Sequence, residues 1–265
     1  MHRVCFLLLG LLASPAMAGG LTLSGPITQG GLVIGHGQAG SRASLDGRAL
    51  RVADNGVFVF GFGRDARADH QLVITAPDGR IKRRQLKVTP RQYLIERIEG
   101  LPPKMVTPPP EVLARIRREN ALIAKVRATD SPAQWFAGGF IRPAPGPLTG
   151  FYGSRRILNG HPRRPHFGLD MAPPEGTPVV APAGGRIALA KTGLYYTGGT
   201  VMIDHGQGIT SVLMHLKEVR VKAGQAVKQG DVIGTVGATG RATGPHVDWR
   251  VNWFEVRLDP ALLLK

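Results

Sequence analysis

Short apolar or alternating runs, broken by glycine, asparagine and aspartate, fill the chain from Gly19 to about Ile98. LTLSGPI, GLVIGH, VFVFGF, HQLVITAPDG and IKRRQLKV are the clearest. Runs of this length predict strands, and Asp54-Asn55-Gly56 and Asp78-Gly79 supply turn residues between them. In QLVITA, Leu72 and Ile74 fall on one face and Val73 and Thr75 on the other. Several strands at this spacing predict a small β-sandwich. His36 and His70 lie in it without acidic partners at ligand spacing, and both read as ordinary surface or packing histidines.

The pattern changes at LPPKMVTPPP, Leu101 to Pro110, a stiff proline-rich connector and the best domain boundary. A helix is predicted from Pro109 or Glu111, with Thr107 as N-cap. Val112, Leu113, Ile116, Leu122, Ile123 and Val126 share most of one face, and Arg115, Arg117, Arg118 and Lys125 lie elsewhere. Packing between two domains is the expected use of that face, ahead of membrane contact. From Gln134 the text returns to strands: PVVAP, GRIALA, GTVMID, GITSVLMHL, DVIGTVG and PHVDWRVNWF, with glycine pairs at 184–185 and 198–199 marking tight turns. The expected architecture is mainly β: a sandwich over 19–98, connector and helix over 99–130, and an antiparallel β-domain over 131–265.

Residues 1–18 read as a secretory signal: a basic start at His2-Arg3, an apolar run from Val4 to Leu12 and a small-residue cleavage site at Ala16-Met17-Ala18. The single cysteine, Cys5, lies inside that run, so disulfides, thiolate metal sites and cysteine nucleophiles are excluded from the mature chain. The implied location is outside the cytoplasm, with the periplasm favoured and no transmembrane segment in the mature chain. Removing residues 1–18 takes away Arg3 and no acid, so the net charge of +16 becomes +15. A basic exported protein is drawn to polyanions such as cell-wall polymers and lipid head groups. Nucleic acid is not expected, because the basic residues are scattered and no recognised nucleic-acid motif occurs.

Chemistry concentrates in the C-terminal half. PHFGLD offers His166 and Asp170, which with Gly168 share one face if the segment is extended, and the glycine leaves space for an ion. GPHVDW places His246 and Asp248 on a common face, and VLMHL adds His215. His166, Asp170 and Asp248 can supply three nitrogen or oxygen ligands with a fourth position left for water. His215 and His246 are then free to move a proton or to stabilise an oxyanion. Each histidine taken alone is more often structural, and His205 in MIDHG is read that way. His161 is expected in a loop near the cleft, and the run Gly234 to Gly244 lacks the lysine of a phosphate loop. Trp249, Trp253 and Phe254 are read as core. Arg155, Arg156 and Arg164, with Arg163, flank the first ligand segment and can meet substrate carboxylates, though a solvated basic rim is an equal reading.

From about Gly150 to Pro260 the text resembles the lysostaphin/LytM-type zinc metallo-endopeptidases that cut peptidoglycan peptides. The resemblance rests on HxxxD at His166 and Asp170, the HL of MHLKE, the run VKAGQAVKQGDVIGTVGATG, and TGPHVD against the family's TGPHxH. It implies a LytM-type β-sheet peptidase domain, one Zn²⁺ per chain on His166, Asp170 and Asp248, catalytic roles for His215 and His246, and peptidoglycan as substrate. Asp248 is the departure, since the family has histidine there. A carboxylate reaches a metal equally well, but it makes the ligand set neutral with Zn²⁺ and favours other divalent metals more than the family's set does. The alternative is a non-catalytic relative that binds peptidoglycan or activates cell-wall hydrolases. A surface protein that binds anionic envelope polymers through its charge is more distant.

Overall fold

The structure is a computed structural model and describes residues 21–264. The signal segment expected at 1–18 lies outside the described residues. The N-terminal strands form two sheets, as expected. One contains Thr22–Ser24, Leu32–His36 and Val57–Gly61. The other runs in the order Arg48–Leu50, Arg42–Leu45, Asp69–Thr75, Ile81–Lys87. Their inner faces bury Val33, Phe58, Phe60, Leu72 and Leu86, and the period of two in QLVITA is kept, with Leu72 and Ile74 buried. Asp78-Gly79 joins two paired strands, with Gly79 at φ 84°. Asp54-Asn55-Gly56 instead turns the chain from one sheet to the other. The hairpin Arg42–Leu45/Arg48–Leu50 was not anticipated: its strands carry few large apolar side chains, and its turn is Asp46-Gly47. His70 also differs from expectation, because Asp46, distant in sequence, lies 2.5 Å from its Nδ1.

The C-terminal half is built on an eight-stranded antiparallel sheet. Its strands lie in the order Ala226–Val227, Gly185–Leu194, Gly198–Gly206, Ile209–Leu216, Val247–Trp253, Leu169–Met171, Leu148–Gly150, with Val256–Leu258 also paired to Val247–Trp253. The two central strands, Gly198–Gly206 and Ile209–Leu216, are buried at every residue. That requires cover on both faces, and alternation divides the work. Val201, Ile203 and Leu213 join the main core with Ile233 and Val236, while Met202, Val212 and Met214 face the helix Pro110–Arg127 through Leu122, Ile123 and Val126.

The helix starts where expected, but Thr107 does not cap it. Pro109 is the N-cap residue and makes no side-chain hydrogen bond. Thr107 instead ends a single helical turn, Pro103–Val106, inside the proline-rich connector. The apolar face packs on the large sheet of the second half, not in a domain interface, and Leu113 stays exposed. Gly198 turns the chain at φ 62°, but Gly185 is no turn residue: it pairs with Val227, and a Cβ there would stand 2.5 Å from the Asp204 carbonyl oxygen.

One further sheet positions the site. Ile95–Ile98 pairs parallel with Arg155–Leu158, which pairs antiparallel with His161–Arg163. The main apolar cluster is continuous from Leu32 and Phe60 to Trp253 and Leu258, across the connector. Among the described residues no helix is long and apolar enough to cross a membrane.

Candidate metal centre

Strands Leu169–Met171 and Val247–Trp253 run antiparallel in a register that sets Asp170 directly opposite Asp248. Two carboxylates so placed repel each other, and both are buried, so the pair is stable only with positive charge between or around it. His166, fully buried just before the first strand, provides part of that. Its Nε2 lies 3.1 Å from Asp170 Oδ1 and 3.3 Å from Asp248 Oδ2. Ligand atoms around one zinc ion at 2.0–2.2 Å stand roughly 3.3 Å apart.

Two glycines make room. A Cβ at Gly168 would fall 2.0 Å from Asp248 Oδ1, and one at Gly150 2.2 Å from Asp170 Oδ2. The space expected at Gly168 thus houses the Asp248 carboxylate. The donor set fits a single divalent cation: the ligand-type atoms of His166, Asp170 and Asp248 lie within 4.8 Å of one another. Asp170 Oδ1 is buried and lacks a hydrogen-bond donor among the described residues, despite its closeness to His166.

Arginines close on the outer sides of both carboxylates. Arg156 Nη2 donates to Asp170 Oδ2 at 3.0 Å, and its Nε reaches Glu96 at 3.4 Å. Arg250 Nη2 donates to Asp248 Oδ2 at 2.6 Å, and its Nε lies 3.1 Å from each oxygen. Burial would raise the pKa of Asp248, but Arg250 and His166 reverse this and hold it well below the ordinary carboxylate range. For Asp170, burial and Asp248 push upward, and His166 with Arg156 brings the net shift down. For His166, burial pushes down and the two aspartates prevail, raising it.

His215 and His246 stand together beside the triad, ring centroids 4.6 Å apart. His215 ends the strand Ile209–Leu216 at φ 65°, a left-handed conformation uncommon outside glycine. Its Nδ1 donates to the Thr239 carbonyl at 2.8 Å. His246 Nδ1 likewise donates to the Gly244 carbonyl at 2.9 Å. In both rings the backbone fixes one nitrogen and leaves Nε2 for chemistry. Burial, then the neighbouring His246, lowers the His215 pKa to about 4.

The other expected residues separate. Arg156 and Arg164 line the cleft at His166 and His215, whereas Arg155, on the opposite face of its strand, lines a groove with Gln29, Arg64 and Tyr93. His161 is exposed in the strand His161–Arg163 rather than in a loop. His205 is fully buried, as are Trp249 and Trp253, while Phe254 is half-buried. Arg250, Arg241 and Glu96 were not singled out from the sequence. Arg250 was legible, because it follows Asp248 by two and shares its face.

Fold and site together define an antiparallel β-sheet protein whose buried His–Asp–Asp group can hold one divalent ion. The profile of peptidase family M23 matches residues 164–260, which span all five site residues. A protein from Pseudomonas aeruginosa assigned to the M23 peptidases has a crystal structure with a TM-score of 0.70 and 33% identity, covering 89% of this chain and 94% of that one. The cell division protein DipM of Caulobacter vibrioides is 32% identical over 168 residues, 60% of this chain and 26% of DipM. The peptidoglycan DD-endopeptidase ShyA of Vibrio cholerae is 40% identical over 87 residues, 33% of this chain and 20% of ShyA. The chain thus spans about a quarter or less of these two relatives' length. With a near-full-length counterpart in the Pseudomonas protein, it belongs to peptidase family M23.

Proposed function

We propose that the protein is an exported, metal-dependent endopeptidase that hydrolyses peptide cross-links of bacterial peptidoglycan, with Zn²⁺ as the resident ion. The observation that carries the reading is the convergence of His166, Asp170 and Asp248 beside two histidines each held at Nδ1 by a backbone carbonyl. The naming of a relative, ShyA, as a peptidoglycan DD-endopeptidase supports the substrate.

His166, Asp170 and Asp248 would hold a divalent ion, which when bound would supply Lewis acidity towards the scissile carbonyl and a water. The chain's own groups do the rest. With Nδ1–H donating to Thr239, His215 presents Nε2 as a proton acceptor towards the attacking water. His246, less deeply buried at the mouth of the cleft, is the partner assigned to the developing oxyanion. The left-handed backbone at His215 fixes the aim of its ring.

The second reading, a non-catalytic peptidoglycan-binding or hydrolase-activating protein, is favoured by one observation: Arg250 already engages both oxygens of Asp248. The deciding experiment incubates the chain from residue 19 with cross-linked muropeptides, with and without EDTA and added Zn²⁺, and reads the products by mass. Chelator-sensitive loss of cross-links is expected. Retained binding to sacculi without cleavage would establish the second reading.

A further inference from the structure

The strand Ile95–Ile98 precedes the proline-rich connector, and its alternation sends Glu96 and Ile98 to one face, half-buried, with Ile95 and Arg97 exposed on the other. Its parallel register sets Glu96 opposite Arg156 and Ile98 opposite Leu158. Ile98 and Leu158 pack with Leu101 and Val106 in a small apolar cluster, so the opposite-charge pair sits beside an apolar pair that fixes the strand.

Glu96 reaches Asp170 by two routes. Its Oε2 accepts from Arg156 Nε at 3.4 Å, and Arg156 Nη2 donates to Asp170 Oδ2 at 3.0 Å. Its Oε1 accepts from the Phe151 backbone N–H at 3.2 Å. Phe151 follows Gly150, which pairs with Asp170 across the sheet and lies so close that a Cβ there would meet Asp170 Oδ2 at 2.2 Å. Both routes end on the same oxygen. With Oδ2 held, Asp170 turns Oδ1 towards His166 Nε2 at 3.1 Å, and Oδ1 is the buried oxygen that lacks a donor among the described residues. The last torsion of an aspartate is soft, so an oxygen offered to an ion keeps its place only when its twin is tied.

We propose that Glu96 is a positioning residue for the metal centre, fixing the Asp170 carboxylate through Arg156 and through the backbone at Phe151. The inference rests on the metal-dependent reading and names a contributor outside the ligand set. Glu96, Phe151 and Arg156 all precede the stretch 164–260 that the M23 profile matches, and Glu96 comes from the far side of the connector. The first half of the chain thereby sets the accuracy of a ligand in the second.

The test titrates Zn²⁺ and Co²⁺ separately into the metal-free chain from residue 19. Zinc affinity is read by competition with a chromogenic chelator, and ligand geometry by the visible bands of bound Co²⁺. Glu96→Ala is expected to weaken Zn²⁺ binding about tenfold and to shift the Co²⁺ bands. Glu96→Gln keeps one acceptor oxygen and is expected to fall between Glu96→Ala and the wild type. Ile95→Thr, on the exposed face of the same strand, is expected to match the wild type in both readouts. Wild-type affinity with unchanged Co²⁺ bands in Glu96→Ala overturns the proposal. An equal loss in Ile95→Thr also overturns it, since the strand would then act only as scaffold. If the wild type itself takes up neither ion, the metal-dependent reading falls and the proposal falls with it.

Discussion

At Asp248 a buried carboxylate faces a second one, Asp170, across a strand pair, and Arg250 closes on it with contacts between 2.6 and 3.1 Å. From sequence, the aspartate was expected to leave a zinc site neutral. The structure returns positive charge through Arg250 and Arg156, so the field at the site is closer to that of a histidine ligand than the ligand count implies. Removing one member of such a pair leaves the other uncompensated, at a cost of roughly 3 kcal/mol. Arg250→Gln is therefore expected to lower the melting temperature of the metal-free protein and to enlarge the rise on adding Zn²⁺; an unchanged rise counts against a metal on Asp248. Asp248→Ala should lose metal by direct analysis while keeping the fold. Gly168→Ala should do nearly the same without touching a ligand, since its Cβ would enter the space of Asp248 Oδ1. Normal metal content in that variant argues against the cradle. The three residues that converge, His166, Asp170 and Asp248, were legible in the text because period-two spacing and the HxxxD and TGPHxD patterns are local. Arg250's place beside Asp248 follows from the spacing of two, but its pairing with both carboxylate oxygens does not, because an exposed cation and a counter-charge look alike until register places them.

Between strands, His205 anchors the core of the large sheet. Its Nδ1 donates to the Gly184 carbonyl at 2.7 Å, and its Nε2 accepts from Ser211, which itself accepts from Trp249 Nε1. That chain needs a neutral ring, and burial holds the pKa down at about 4 against 6.5 for an unperturbed histidine. Between those values the unfolded chain takes up a proton that the folded chain refuses, so stability falls as pH drops from about 6.5 to 4 and levels off below. The loss is of order 3 kcal/mol. Melts across this range should show the fall, and His205→Gln should lessen it, leaving the share of His215, which burial also holds at about 4; an equal slope in the variant excludes His205 as a source. The helix Pro110–Arg127 offers a packing test. Val126→Asp puts a charge against Met202 and Met214 and should destabilise by about 3 kcal/mol or more, read by denaturant titration, whereas Leu113→Asp on the exposed side should be near neutral. The helix's existence and start were legible in its prolines and apolar spacing. Its docking partner stayed hidden, because an apolar stripe fits any apolar surface. Ile95–Ile98 stayed hidden too: its partner lies sixty residues on, and its short, half-charged run is not among the segments that read as strands.

Across the whole molecule, the compositional joint at the proline-rich connector is not a structural one. Gly61 of the first sandwich lies so close to Leu258 that a Cβ would come within 2.5 Å of its Cδ2. Arg91 binds Asp259 at 2.7 Å, and Arg48 binds Glu255 at 2.8 Å. Expressed alone, residues 131–265 should expose the apolar surface that Phe60 and its neighbours cover. Strong binding of a hydrophobic dye and a broadened melt are expected, and a sharp melt with no dye binding would show that the second half is self-sufficient. The continuous cluster has a further meaning for inheritance. A recombination event at the connector, where the genetic text invites it, would separate Gly61 from the leucine it was shaped around and Arg91 from its acid. The two halves can change partners without loss only if both sides of that seam are exchanged together.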